Sequence, residues 1–168
     1  MHSTTLKRAE QIIPVNLTVN GTRHEIDVEP HELLLDVVRN RLGLTGAKRS
    51  CDVQVCGACT LLLDGRPVSS CTLLALEARD REVLTIEGLA QDGKLHPLQQ
   101  AFIEFGGLQC GFCTPGMILT AKTLLDENAS PTEEEIIQFM QGNICRCTGY
   151  KKIVESIMEA AKRMRRGS

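Results

Sequence analysis

The sequence predicts an α+β chain in two halves: a small mixed sheet crossed by a helix, then a compact set of four helices. Three observations carry this. Apolar residues alternate singly in the first half and recur at helical spacing from about residue 96. Two-residue turn signals, Asn20–Gly21 and Asp64–Gly65, fall in the first half. The eight cysteines divide evenly between the halves.

Val15, Leu17 and Val19 alternate with polar residues, and His24, Ile26 and Val28 alternate on the return, which predicts a β-hairpin over 15–28. Leu33, Leu34, Val37, Val38 and Leu42 form one apolar stripe, so a helix is expected over about 32–42, with Gly43 as its left-handed stop. A cysteine-bearing loop follows. Thr60–Leu63 and a strand running toward Cys71 flank the Asp64–Gly65 turn, and "EVLTIEGL" (82–89) reads as one further strand. The polar stretch "EGLAQDGKLHP" (87–97) joins the halves. Beyond it, Leu98, Ala101, Phe102 and Phe105 mark the first inward helical face. "TPGMILTAKTLLDEN" offers Thr114 as N-cap and Pro115 at the first helical position. "TEEEIIQFMQGN" carries a capping box, Thr132 with Glu135. The final helix, "YKKIVESIMEAAKRMRR", turns Ile153, Ile157, Ala160 and Ala161 inward. Four helices of this length predict a bundle.

Composition narrows the function. Apolar residues make up 42% and aromatics 3%, with no Trp, so aliphatic side chains must fill the core. A net charge of −2 gives no general pull toward nucleic acid or anionic membrane. No apolar run approaches the roughly 20 residues that span a bilayer. "MHSTTLKRAEQIIPVN" lacks the apolar segment of a secretory signal. The chain therefore reads as soluble and cytoplasmic, where structural disulfides are disfavoured. No G-x-G-x-x-G follows a strand, so no dinucleotide fold is visible. His2, His24, His31 and His96 are scattered and read as surface or hairpin residues. Lys162, Arg163, Arg165 and Arg166 read as favourable charge at a helix C-terminus, or as a partner contact.

The cysteines carry the chemistry. Cys51, Cys56, Cys59 and Cys71 follow an x4, x2, x11 spacing, whose opening is that of plant-type [2Fe–2S] ligation. Gly57 and Ala58 are small, so backbone N–H groups can close on a cluster. A zinc site with four cysteines usually shows two short pairs, and this run does not divide that way. Cys110, Cys113, Cys145 and Cys147 form two close pairs far apart in sequence. Alone, they suit a second cluster, a zinc site in an interaction module, or a redox dithiol at Cys110 and Cys113.

Three segments, "CGACTLLLDGRPVSSC", "QCGFCTPGMI" and "GNICRCTGY", resemble signatures of the iron–sulfur subunit of molybdenum hydroxylases. This is the xanthine oxidase-like family, which includes carbon monoxide dehydrogenase, hydroxybenzoyl-CoA reductase and quinoline 2-oxidoreductase. The resemblance runs from about residue 15 to 162. The loop "SCDVQVC" departs from the family's "GCGEGxC": Ser50, Asp52 and Gln54 replace glycines, and Val53 replaces an acidic residue. Its likeness leans toward azaheterocycle hydroxylases such as quinoline 2-oxidoreductase.

The resemblance implies a β-grasp, ferredoxin-like domain over 15–90, after an N-terminal extension over 1–14, and a four-helix bundle domain over 91–168. Each domain would hold one [2Fe–2S] cluster, with Cys51 and Cys56 on one iron of the first and Cys59 and Cys71 on the other. Gln109 would hydrogen-bond the pterin, with Cys147 close to it; read alone, Gln109 is an ordinary polar loop residue. The implied partners are a large molybdenum-binding subunit and a medium FAD-binding subunit, in a dimer of heterotrimers. The implied role is electron transfer from the molybdopterin centre, through the helical-domain cluster and then the plant-type cluster, to FAD. The implied reaction hydroxylates a small, aromatic heterocyclic substrate with oxygen from water.

Overall fold

The computed structural model describes residues 12–166. His2 and most of the expected N-terminal extension lie outside the described residues. The chain is α+β, with a mixed five-stranded sheet and several helices.

Strands β1 (Ile13–Val19) and β2 (Thr22–Val28) pair antiparallel from Val19↔Thr22 to Ile13↔Val28. Asn20 and Gly21 both take positive φ, as the two-residue turn requires. Helix α1 (Leu34–Asp36) continues into a wider turn over Val37–Arg41, in which the Leu42 N–H donates to the Val37 carbonyl. The expected helix over 32–42 is thus shorter and widened, a winding that leaves Leu34, Leu35, Val37 and Val38 all buried. Gly43 then reverses the chain at φ +69. β3 (Thr60–Leu63) and β4 (Arg66–Ser69) form the second hairpin, and β5 (Glu82–Leu84) pairs parallel to β1 and antiparallel to β3. The strand order is β2-β1-β5-β3-β4.

The strand expected over 82–89 stops at Leu84. Asn20 explains the stop: its side chain accepts the Thr85 N–H and donates to the Thr85 hydroxyl, both at 2.9 Å. Side-chain bonds replace the ladder, and residues Ile86–Gly88 turn into one 3-10 coil.

Four helices follow: α2 (Pro97–Glu104), α3 (Thr114–Glu127), α4 (Glu133–Phe139) and α5 (Lys151–Arg166). The first core joins Val15, Leu17, Val19, Leu61, Leu63 and Val83 to α1. The second joins α2, α3, α4 and α5 around Phe102, Met117, Ile136 and Ile157. All of β3 is buried. Strand alternation turns Leu61 and Leu63 toward the first core and Leu62 to the opposite face, where α3 packs on β3. Phe105, expected inward, ends α2 at 37% exposure with the Arg163 guanidinium over its ring. The cap of α3 is Cys113, not Thr114; Thr114 is its first helical residue. His96, read as a surface residue, caps α2 by accepting the Leu98 N–H at Nδ1.

The capping box of α4 is formed as expected: Thr132 Oγ1 accepts the Glu135 N–H, and Glu135 accepts the Thr132 N–H. Thr132→Ala should cost about 1 kcal/mol. That Thr132 N–H, then the Thr132 hydroxyl, hold the Glu135 carboxyl below its ordinary 4.5. Its contribution is therefore complete above the unfolded value and lost as pH falls through the lower folded one. Denaturant midpoints above and below pH 4.5 check both points, and equal midpoints for variant and parent at neutral pH would show that the cap contributes nothing.

Candidate metal centres

The first cysteine set is held by backbone bonds from three directions. The first N–H groups of α1 bind the loop around Cys71: Leu34 N–H donates to the Leu73 carbonyl and Leu35 N–H to that of Ser70. The buried Ser70 hydroxyl donates to the Cys59 carbonyl at 2.6 Å. Lys48 N–H holds the Ala58 carbonyl. Cys59 and Cys71 are buried and Cys51 and Cys56 half-buried. The thiols neighbour one another two and two, Cys51 with Cys56 and Cys59 with Cys71.

Asp52 (φ +55) and Gln54 (φ +61) keep the left-handed backbone that glycine would take there without strain. Arg49 steadies the loop by pairing with Asp36 at 2.6 Å and Asp52 at 2.9 Å. The Val53 backbone N–H, then those of Cys56 and Val55, hold the Cys51 thiol down to about 6. Burial pushes Cys59 up to about 12, with Cys71 beside it. Cys51 readily carries charge and Cys59 resists it, so a cation must supply the balance for all four to be thiolates.

The second set sits where two loops meet. Gly111, at φ +79, turns the segment between Cys110 and Cys113. The other loop folds under Tyr150, whose phenol oxygen accepts the Cys145 N–H at 3.1 Å, while the Thr148 hydroxyl donates to Cys145 Sγ at 3.1 Å. Cys110 Sγ and Cys147 Sγ lie 3.5 Å apart, and Cys113 pairs with Cys145. Burial, then Cys145, pushes Cys113 up to about 12. Burial acts upward on Cys145 too, but the Thr148 hydroxyl and the N–H groups of Cys147 and Thr148 outweigh it and lower it. Cys110, on its side-chain contact, raises Cys147. Cys110 and Cys147 are exposed, and so is Gln109 next to them. Thr114 Oγ1 is buried with no hydrogen-bond partner, a donor left for an acceptor the protein does not supply.

The donor sets fit two-iron cores. A single tetrahedral ion draws four ligands around one point. Among the described residues, no three His, Cys, Asp or Glu side chains gather that closely. Sulfurs gathered two and two match instead a core in which each iron takes two thiolates and shares bridging sulfides. The cysteines are legible from spacing. Asn143, Thr148, Tyr150 and Ser70 are not, because their roles are hydrogen bonds across the fold. The described histidines lie elsewhere: His24 on β2, His31 beside Glu29, and His96 at the start of α2.

The two loops touch. The Gly57 carbonyl accepts from Thr60 N–H, the Thr60 hydroxyl and Asn143 Nδ2, at 3.2, 2.8 and 3.3 Å. The Ile144 N–H donates to the Cys56 carbonyl at 2.9 Å.

Comparison with known proteins agrees with this geometry. Residues 17–90 match the family described as "2Fe-2S iron-sulfur cluster binding domain", and residues 85–158 match "[2Fe-2S] binding domain". The chain is 51% identical over 151 residues to the nicotinate dehydrogenase small FeS subunit of Eubacterium barkeri, covering 90% of this chain and 96% of that one. It superposes on a chain of quinoline 2-oxidoreductase from Pseudomonas putida 86 with a TM-score of 0.89 and 45% identity, covering 94% and 98%. It also superposes, at 0.88 and 44% identity, on aldehyde oxidoreductase from Desulfovibrio gigas, covering 93% of this chain and 18% of that longer one.

Proposed function

The chain belongs to the family of small iron–sulfur subunits of molybdenum hydroxylases, and on that premise we propose that it carries electrons singly between cofactors held by partner subunits. Its place is in a multi-subunit oxidoreductase, not as a catalyst alone. Cys51, Cys56, Cys59 and Cys71 hold one cluster, in a β-grasp, ferredoxin-like domain over 15–90. Cys110, Cys113, Cys145 and Cys147 hold the other, in a four-helix bundle domain over 91–168. The observation that carries the reading is that four thiols gather two and two in each half.

When bound, a [2Fe–2S] cluster supplies a one-electron redox centre tuned by burial and by hydrogen bonds to its sulfurs. The chain's own residues provide that environment. Val53, Val55 and Cys56 aim backbone N–H groups at Cys51, Thr148 donates to Cys145, and the buried flanks of Cys59 and Cys71 exclude water.

In this proposal a large subunit holds the molybdenum cofactor and a medium one FAD, in a cytoplasmic dimer of heterotrimers. Gln109 then lies against the pterin with Cys147 close by. Exposure of Gln109, Cys110 and Cys147 at one surface supports this. The substrate is a small N-heterocycle, a class supported by relatives named for nicotinate and quinoline.

Metal and acid-labile sulfide analysis tests the reading. Four irons and four sulfides per chain are expected, with two distinguishable paramagnetic signals on full reduction. Two zincs without sulfide would overturn it. Co-purification of larger subunits, and turnover of N-heterocycles in preference to aldehydes, test the assembly and the substrate class.

A further inference from the structure

Resting on the two-cluster reading, we infer that the Thr114 hydroxyl donates a hydrogen bond to a sulfur of the cluster held by Cys110, Cys113, Cys145 and Cys147, and that this bond raises the reduction potential of that site. Four threonines directly follow a cysteine of the two sets: Thr60, Thr72, Thr114 and Thr148. Their hydroxyls are used in two different ways.

At the first set the hydroxyls go to backbone. Thr60 gives its N–H, at 3.2 Å, and its hydroxyl, at 2.8 Å, to the Gly57 carbonyl three residues earlier. Thr72 gives its N–H, at 3.2 Å, and its hydroxyl, at 3.3 Å, to the Ser69 carbonyl, again three residues back. Such local bonds are a common outlet for a threonine hydroxyl. Thr114 starts the same way, with its N–H donating to the Gly111 carbonyl at 3.3 Å. Its hydroxyl does not follow. Oγ1 is shut off from water, and no acceptor among the described residues takes it. Thr148 shows where a hydroxyl goes at this site: it donates to Cys145 Sγ at 3.1 Å.

A buried hydroxyl without an acceptor is costly, and anionic sulfur is the acceptor this loop brings. Thr114 adjoins Cys113, the cap of α3, and Cys113 neighbours Cys145, the sulfur that Thr148 already serves. An added electron puts more negative charge on the sulfurs, so a donor there holds the reduced form more strongly than the oxidised one. The site gains one electron and the hydroxyl keeps its hydrogen; no covalent bond forms or breaks.

The test is a redox titration of the assembled complex with both clusters loaded, read on the two paramagnetic signals, for Thr114→Val and Thr114→Ser. The first keeps the branched shape and removes the hydroxyl; the second keeps the hydroxyl. In T114V the helical site should take up its electron about tenfold less readily, a fall of about 59 mV for one electron. The plant-type potential should stay in place, and T114S should match the parent. In heavy water, the helical-site signal of T114V should also lack one exchangeable deuteron coupling that the parent and T114S show.

An unmoved potential in loaded T114V overturns the bond. So does an equal fall in T114V and T114S, which would trace the shift to packing. A lowered potential with unchanged deuteron couplings also overturns it. If T114V fails to load the helical cluster, Thr114→Ala, which puts no methyl in place of the hydroxyl, is titrated and read the same way. Failure of both to load would make Thr114 a structural residue of the loop and overturn the tuning role. Absence of iron from the unaltered chain would defeat the two-cluster reading itself, a separate outcome.

Discussion

Gly57→Ala should destabilise the loaded chain by about 2–5 kcal/mol, the sum of a left-handed backbone cost and an overpacking cost. Gly57 sits at φ +69. A side chain there costs roughly 1–2 kcal/mol for conformation alone. Its Cβ would also press on Asn143 Nδ2 and on the Gly142 carbonyl. Asn143 can swing away only by giving up its bond to the Gly57 carbonyl, and the Gly142 carbonyl is backbone and cannot swing at all. Two other glycines separate these costs. Gly21, at φ +76, has open space within 4 Å of an added methyl, so Gly21→Ala carries the conformational cost only. Gly116 lies in α3 without a positive φ, so Gly116→Ala meets only the clash with the Gly57 carbonyl, less about 1 kcal/mol of gained helix propensity. Denaturant unfolding of the three variants should rank Gly57→Ala as the most damaging. A Gly57→Ala loss no larger than that of Gly21→Ala would mean that the two loops are not held together there.

That junction marks the limit of what the residues disclose before folding. Local signals were legible: the Asn20–Gly21 turn, the buried alternation of Val15, Leu17 and Val19, the Thr132–Glu135 box, and the stripe of α5 all depend on neighbours within a few residues. The resemblance of the three cysteine segments made the family legible as well. Expectations missed where a distant residue intervened. Asn20, 65 residues away in sequence, takes the Thr85 N–H and ends β5. The cap of α3 moved to Cys113 because the cysteine loop feeds directly into the helix, leaving Thr114 Oγ1 buried inside the first turn. Asn143 reads in the sequence as one polar residue before "ICRC". Only the approach of Gly57, 86 residues earlier, gives its side chain a task.

The largest functional effect is expected at the helical site. Separated from its partners, the chain should lose iron from Cys110, Cys113, Cys145 and Cys147 well before it loses iron from Cys51, Cys56, Cys59 and Cys71. In the first set, Cys59 and Cys71 are 2% and 3% exposed. In the second, Cys110 and Cys147 are exposed, so oxidant and chelator meet both sulfurs of the pair that lies 3.5 Å apart. Apolar side chains crowd the same surface: Phe112 is 45% exposed and Ile144 46%. Covering them would gain about 25 cal/mol per Å2, so a partner surface that closes over residues 108–113 and 143–150 would protect the sulfurs while burying these side chains. Iron content and the two paramagnetic signals should be followed through chelator treatment under air, in the free chain and in the complex. The helical-site signal should fade first in the free chain and persist in the complex, and amide exchange over 108–113 and 143–150 should slow on assembly. Cys147→Ser should remove that signal in both forms and leave the other intact. Earlier loss of the plant-type signal, or equal exchange in the free and assembled chain, would place the partner on a different face.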